Sequence, residues 1–297
     1  MPVYSYITQL GISSNNPVDA RFDFRRANIG LVEEHLNTNG IRGTRSPNVA
    51  RVRQGIRRVQ GQLSLQPTAV ELAALLPWIL GANASGTTYA LANVLQKRYV
   101  TVARDDGTDG KVFTYDNVAV SRAVFRGQQG MPIDLELDLV GVDETVGNAG
   151  TFPSLSIDTT TGPFIFPDST GALSINSTTV GAPEFEVTID NMFDAERFLN
   201  SLTLSTSAGA TGRQITVRTR LPYSDAEALY GTGAGGVAVT WTLTNGGTSL
   251  AFSFVKVCFP RMQIEVPERG ELFVPLQGQA YLSSSTNELV CTLDSTP

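Results

Sequence analysis

The sequence predicts a mainly β (α+β) fold, built as two similar halves in tandem, each mostly strand and each flanked by one short helix. Three observations lead there. The first is a change of period within Ile56 to Leu80. Ile56 to Leu65 alternates as a strand does, with Val59, Leu63 and Leu65 apolar against Arg58, Gln62 and Ser64. Pro67 stops that ladder and presets a helical start; Thr68 follows, and Glu71 falls in the first turn. The helix that results is apolar almost all round (Val70, Leu72, Ala73, Ala74, Leu75, Leu76) and wants cover on more than one side. Pro77 is expected to break it and Gly81 to close the segment. The second observation is that the unit returns. Ile215 to Leu221 alternates, Pro222 ends the strand, and Ser224-Asp225-Ala226-Glu227 has capping-box spacing for a short helix running to Tyr230. The third is a composition shift between Gly147 and Pro183, rich in Gly, Ser, Thr and Pro and almost free of basic residues. The expected division is a first β domain over 1–147, a join over 148–183 and a second β domain over 184–297.

Composition narrows the function. Charged residues make up 17% of the chain, against about 25% in an ordinary soluble domain. That shortfall suits a surface largely covered by partners. The formal net charge is −6, so the chain as a whole has no electrostatic reason to seek nucleic acid. Cys258 and Cys291 do not make a disulfide framework, and Cys258 sits in an apolar run as a small core residue would. MPVYSYITQL lacks a basic region followed by an apolar block, and no run of ~18 apolar residues exists, so neither a signal peptide nor a membrane span is expected. The expected place of synthesis is the cytosol.

Taken in order, residues 1–20 read as a loop punctuated by Gly11, Asn15, Asn16 and Pro17, and Ala20 to Phe24 alternates. Gly30 to Gln54 is long for a connection, and such length points to a functional arm or a projecting hairpin. It is arginine-rich, with Arg42, Arg45, Arg51 and Arg53 inside it and Arg57 and Arg58 just beyond. Arg98 to Arg104 and Lys111 to Tyr115 read as a hairpin about Asp105 to Gly110, followed by Val118 to Phe125 and a turn at Gly127 to Gly130. Ile133 to Leu139, IDLELDL, is the most regular strand. The join holds short candidate strands at Phe164–Phe166 and Leu173–Ile175. The second half repeats the order. Glu184 to Ile189 echoes Ala20 to Phe24, and a hairpin Val237–Leu243/Leu250–Val257 turns at Asn245-Gly246-Gly247. Met262 to Val266 then reaches the turn Pro267 to Gly270, and Glu271 to Tyr281 closes the half.

Catalysis finds little support. His35 is the only histidine and reads as an exposed loop residue, so a His-based triad or a His-rich metal site fails on inventory. Gly231 to Gly236 fits G-x-G-x-x-G by letter, but it follows a helix and precedes a strand, the reverse of a dinucleotide site. Asp105 to Gly110 has Gly107 where a calcium loop needs a ligand and reads as a hairpin turn. Asn83-Ala84-Ser85 and Asn176-Ser177-Thr178 match glycosylation letters by chance. No catalytic, cofactor-binding or metal-binding residue is assigned.

Three features stand out instead. Asp134, Glu136 and Asp138 share one face of one strand, with Ile133, Leu135, Leu137 and Leu139 on the other. Glu184, Glu186 and Asp190 do the same beside Phe185, Val187 and Ile189. A solvated sheet face accounts for both, yet like charges two apart on a strand repel and need a compensating partner. The arginine-rich arm is the third, either an unattached basic loop or a contact element. Nucleic-acid binding fits it poorly, since no aromatic residue interleaves the arginines.

The order of these pieces resembles the tail tube proteins of long-tailed bacteriophages, in their two-domain form. The second half carries it most strongly, in PFIFPDSTGALSIN, FEVTIDNMFDAERFLNSLTLSTSAGATGRQITVRTRLPYSDAEALY and SFVKVCFPRMQIEVPERGELFVPLQGQAYL. The first half contributes RYVTVARDDGTDGKVFTYDNVAVSRAVFRGQQGMPIDLELDLVG, and its long arm departs from the partner half. The resemblance implies that each domain is a β-sandwich or partial barrel flanked by a helix. It also implies that six domains, hence three two-domain chains, make a pseudo-sixfold ring. Rings stack into a hollow virion tail that conducts DNA without binding it specifically. The tape-measure, tail terminator and distal tail proteins are implied partners, with assembly in the host cytoplasm. On this reading Asp134, Glu136, Asp138, Glu184, Glu186 and Asp190 face the lumen. Arg42, Arg45, Arg51, Arg53, Arg57 and Arg58 reach the next ring, and Val70, Leu72, Leu75 and Leu76 pack between domains. A decoration or carbohydrate-binding β-sandwich is the alternative. A hydrolase using Asp134 and Glu136 is a remoter one, without a cleft or second polar cluster to support it.

Overall fold

The period-2 runs become strands joined in one hydrogen-bonded network. In this computed structural model the described residues are 8–37, 49, 52–104, 110–148, 152–166, 173–227, 229, 235–261, 272–283 and 287–294. The first half contains β1 (Thr8–Ser13), β2 (Arg21–Phe22), β3 (Arg26–Asn37), β4 (Val52–Leu65), α1 (Ala69–Leu80), β5 (Thr88–Ala90), β6 (Arg98–Arg104), β7 (Lys111–Gln128), β8 (Asp134–Gly141) and β9 (Asp143–Asn148). The rest comprises β10 (Leu173–Ile175), β11 (Thr178–Val180), β12 (Glu184–Asp190), β13 (Gln214–Pro222), α2 (Tyr223–Glu227), β14 (Val237–Asn245), β15 (Thr248–Cys258), β16 (Phe273–Ala280) and β17 (Leu289–Asp294). The protein is mainly β with two short helices, and every named strand pair is antiparallel.

The connectivity occurs twice. In the first half the pairs are β1–β2, β1–β6, β3–β4, β4–β8, β6–β7, β7–β8 and β7–β9. The second half gives β10–β11, β10–β14, β12–β13, β13–β16, β14–β15, β15–β16 and β15–β17, the same scheme strand for strand. The structural echo of β12 is therefore β3, not Ala20 to Phe24, of which only Arg21–Phe22 is strand. β5 has no counterpart and pairs with β17. The halves join where β12 lies along β7, from Glu184 opposite Gln128 to Asp190 opposite Arg122. A sheet thus runs continuously in the order β3, β4, β8, β7, β12, β13, β16.

Several local expectations change. Thr8–Ser13 is a strand because Leu10 and Ile12 are buried; Gly11 serves close packing, since a Cβ there would meet Val18 Cγ2 at 2.4 Å. Lys111–Tyr115 and Val118–Phe125 are one strand, β7, bent at Asn117, whose φ of 52° asparagine tolerates well. Its early part pairs with β6 and β9, its later part with β8 and β12. β17 extends the second half past Tyr281, with Leu289, Cys291 and Leu293 buried. Cys258 is only half-buried. The expected strand at Met262 to Val266 and its turn lie outside the described residues, as do 105–109 and 231–234.

α1 does not stop at Pro77 but runs to Leu80. A proline there forfeits one backbone donor. Burial outweighs that loss, because Trp78, Ile79 and Leu80 are all fully buried and the Trp78 indole N–H donates to Val118 O at 2.9 Å. Gly81, with φ of +93°, ends the helix by donating its N–H to Pro77 O. At the other end Thr68 is the N-cap. Its hydroxyl accepts from Glu71 N, and Glu71 Oε2 accepts from Thr68 N at 3.0 Å, a reciprocal box. In α2 the expected box is absent. The helix starts at Tyr223, which places Ser224 inside it, and Asp225 Oδ2 accepts from Gly181 N instead.

One apolar core spans both halves. Phe125 from β7 meets Phe252 from β15 at 4.9 Å, and Trp241 stacks on Phe252 at 5.2 Å and packs against Phe185 at 4.4 Å. The indole of Trp241 also explains Gly127, where a Cβ would lie 2.6 Å from the ring. α1 contacts β5 and β7 of the first half and β15 and β17 of the second.

Candidate functional site

Alternation along β8 and β12 buries Leu135, Leu137, Phe185, Val187 and Ile189 and turns the carboxylates to the opposite face. The sheet order then sets Asp134, Glu136 and Asp138 on one side of β7, and Glu184, Glu186 and Asp190 on the other. β7 answers with arginines. Arg126 lies opposite both Asp134 and Glu186, and Arg122 opposite both Asp138 and Asp190. Arg126 Nη1 donates to Glu136 Oε2 at 2.6 Å and its Nε to Glu186 Oε2 at 2.8 Å. Beyond β12, Arg218 of β13 reaches Glu186 Oε1 at 3.4 Å, and on the far side Arg25 donates to Asp134 Oδ1 at 2.8 Å. One cross-strand row thus reads Asp134, Arg126, Glu186, Arg218, Gln277.

This arrangement supplies the compensating partner that like charges on one strand demand. Hydrogen bonding to Glu186, and then to Glu136, pushes the Arg126 guanidinium above its usual value, while its partial burial acts the other way. Arg126 and Glu136 are roughly half-exposed and Glu186 less so, and each pair contributes only about 0.2–1 kcal/mol. Sequence reasoning missed Arg122, Arg126, Arg218 and Arg25. The signal was present in SRAVFR, where two arginines four residues apart share one face of a strand, but only the pairing of distant strands shows what they face.

The described flanks of the long arm pair with each other. β3 pairs with β4 from Arg26 opposite Ser64 to Asn37 opposite Val52, with a bulge where Gly55 and Ile56 of β4 face Glu34 alone. β8 accompanies β4 only from Leu65 to Val59, so Val52–Arg58 continues past it by about 20 Å at strand rise. Arg53 is exposed there. Arg57 bonds Asp143 Oδ2 at 3.0 Å, and Arg58 bonds Ala195 O at 3.0 Å and the Glu196 carboxylate, so these two arginines are engaged within the chain. Arg42, Arg45 and Arg51 lie outside the described residues. His35 is exposed on β3, on a strand rather than a loop. On α1, Leu72, Leu75 and Leu76 are fully buried, whereas Val70 is 49% exposed.

Among the described residues no group of three or more His, Cys, Asp and Glu is placed to hold a metal ion, and no helix is long and apolar enough to cross a membrane. The family model for phage tail tube protein matches residues 8–280, spanning both repeats of the connectivity. The chain belongs to the phage tail tube protein family. No match is found among curated proteins. Membership makes this a structural protein of the virion tail that assembles with itself into a tube and associates with other tail components.

Proposed function

We propose that three copies close into a pseudo-sixfold ring, that rings stack into the tail tube, and that DNA passes through its bore. One observation carries this reading: the second repeat already docks on the first inside one chain, by β12 along β7. β3 is the counterpart of β12, and its outer edge has no partner strand among the described residues. Repeating the β7–β12 contact between copies gives β3 a partner, removes an exposed edge and closes a ring by a head-to-tail rule. The two repeats, β1–β9 and β10–β17, the second beginning with β10 inside the expected 148–183 join, then count as two of six positions.

The charged face is the inner wall in this reading. Asp134, Glu136, Asp138, Glu184, Glu186 and Asp190 outnumber Arg25, Arg122, Arg126 and Arg218, so the wall is weakly electronegative and a mosaic. Arg25, Arg122, Arg126 and Arg218 are each within ion-pair distance of one of these carboxylates, so phosphates are repelled mildly, which suits transit without sticking. Tape-measure, tail terminator and distal tail proteins are the further partners this reading implies. The structural role leaves no catalytic step to assign.

Electron microscopy of the purified chain tests the ring: hollow tubes with three copies per ring are expected, and discrete particles at high concentration end the reading. Lysine replacement of Glu136 and Asp138 should slow DNA ejection from assembled virions; unchanged ejection removes the lumen assignment. Deleting residues 42–53 should leave rings that do not stack, and normal tubes from that variant refute the arm.

A further inference from the structure

A ring of two-repeat chains has two kinds of junction, one inside each chain and one between chains. The first is β12 along β7. The doubled connectivity allows the β3 side of the second to be compared with it, residue by residue. The hairpins β6–β7 and β14–β15 carry the same bulge: Arg98 and Val100 lie opposite Val118 and Tyr115, and Val237 and Val239 opposite Val257 and Phe254. Aligned on that bulge, Ala119 matches Cys258. The rung Ala119, Val140, Gln60, Gly30 then matches the rung Cys258, Gln279, Thr216, Thr188. On β3, therefore, Arg26 stands at the place of Glu184, Asn28 at that of Glu186 and Val32 at that of Asp190.

The chemistry of the two strands differs. Glu186 and Asp190 are the β12 residues that lie opposite Arg126 and Arg122 of β7. Asn28 and Val32 carry no charge, so whatever strand joins β3, it finds no ion-pair partner at those two places. The apolar side shows the reverse. Phe185, Val187 and Ile189 are all buried with β7 alongside, whereas of their counterparts Ile29 is buried and Ala27 and Leu31 are only partly so. Val32 is 47% exposed as well. The same contrast runs across the charged face, since Asp134, Glu136 and Asp138 of β8 correspond to Phe273, Pro275 and Gln277 of β16.

We propose that copies join along β3 through an apolar junction insensitive to salt, and that the ion-pair row is confined to the junction within each chain. The occupant of the β3 edge is a second copy, because the β7–β12 contact is the template for a cover that β3 lacks inside its own chain. This rests on the ring reading and deepens it. Of six junctions in the ring, three are ionic and three apolar. The acids then gather on β8 and β12 around each intrachain junction, so the charges of the face repeat three times per ring rather than six. Apolar burial is suited to joining separate molecules, because half-exposed ion pairs add little and are screened by salt.

The test measures the mass of the unsubstituted chain by light scattering at low salt and in 1 M sodium chloride, which screens charges beyond about 3 Å. Trimers, or larger multiples of three, are expected to persist in both. Assemblies at low salt that fall to monomers in 1 M salt overturn the apolar junction and leave the ring reading standing. A chain that stays monomeric in both removes the ring reading, and the proposal falls with it. Two substitutions then locate the effect. Leu31→Ala should raise the concentration needed for closure about fivefold, the loss expected when part of a leucine's burial is removed. Arg126→Gln, at the intrachain junction, should change it by less than about twofold. No change from Leu31→Ala, or an equal change from Arg126→Gln, overturns the proposal. The salt comparison uses no variant and decides the matter even where Leu31→Ala fails to fold.

Discussion

At the scale of single residues, Glu71 does more than cap its own helix. Its two oxygens accept from Thr68 N and from Asp23 N, both at 3.0 Å, and the side chain is nearly fully buried. Burial pushes its carboxyl up from the usual range. Glu71→Ala would strand two amides, and a loss of about 2–4 kcal/mol in urea unfolding is expected. Val70→Ala, one residue away and half-exposed, should cost under about 1 kcal/mol. Asp158 behaves oppositely. Burial raises its carboxyl, but the Thr161 hydroxyl, the Thr160 amide and hydroxyl and the Thr68 hydroxyl together hold it well below the usual range. A depressed carboxyl stabilises the fold fully above its unfolded value, near ~3.9, and loses that contribution as pH falls toward the folded value. Asp158→Asn should therefore melt below wild type at pH 7, with the gap narrowing as pH drops from about 4 to 2.

Among the elements, α1 is held by both halves. Asn191, fully buried and just past β12, donates its Nδ2 to Ile79 O at 3.2 Å and to Val120 O at 3.1 Å. It thus serves a carbonyl in the last turn of α1 and the bent strand β7 at once. Asn191→Ala should cost about 1–3 kcal/mol, read as a lower urea midpoint with one unbroken transition. The charged row on β7 is weaker and differs in kind. Arg126→Ala should lower the midpoint by about 1 kcal/mol at low salt, and the difference should shrink in 1 M salt, where the screening length falls to about 3 Å. A deficit independent of salt would mean that the Arg126 stem matters more than its charge.

For the whole molecule, the proposed ring would tie stability to assembly through the open edge of β3. If copies pair through β3, the melting temperature should rise with protein concentration, because association favours the folded state by mass action. A melting temperature constant over a hundredfold range of concentration, with the chain monomeric throughout, would contradict ring closure. The same scale explains what could be read beforehand. The strand–Pro–helix unit, IDLELDL and the Asn245-Gly246-Gly247 hairpin were visible because alternation, turn residues and helix starts are encoded within about ten residues. β1 and the run of α1 past Pro77 were hidden, since Gly11 and Pro77 are punctuation by local rules and are overruled by burial against distant strands. The acidic face was legible and its arginine partners were not, because the facing residues lie on strands set side by side only by folding.

The sequence by itself determined the period of each element, which side of each strand is apolar, the doubled order and the likeness to a tail tube protein. Tertiary structure decided that β3 matches β12, that β12 binds β7, and that the acids are met by arginines. The reason is one of range. Side-chain direction is fixed by neighbours along the backbone, whereas strand partners are chosen by which apolar faces can be buried together across the chain.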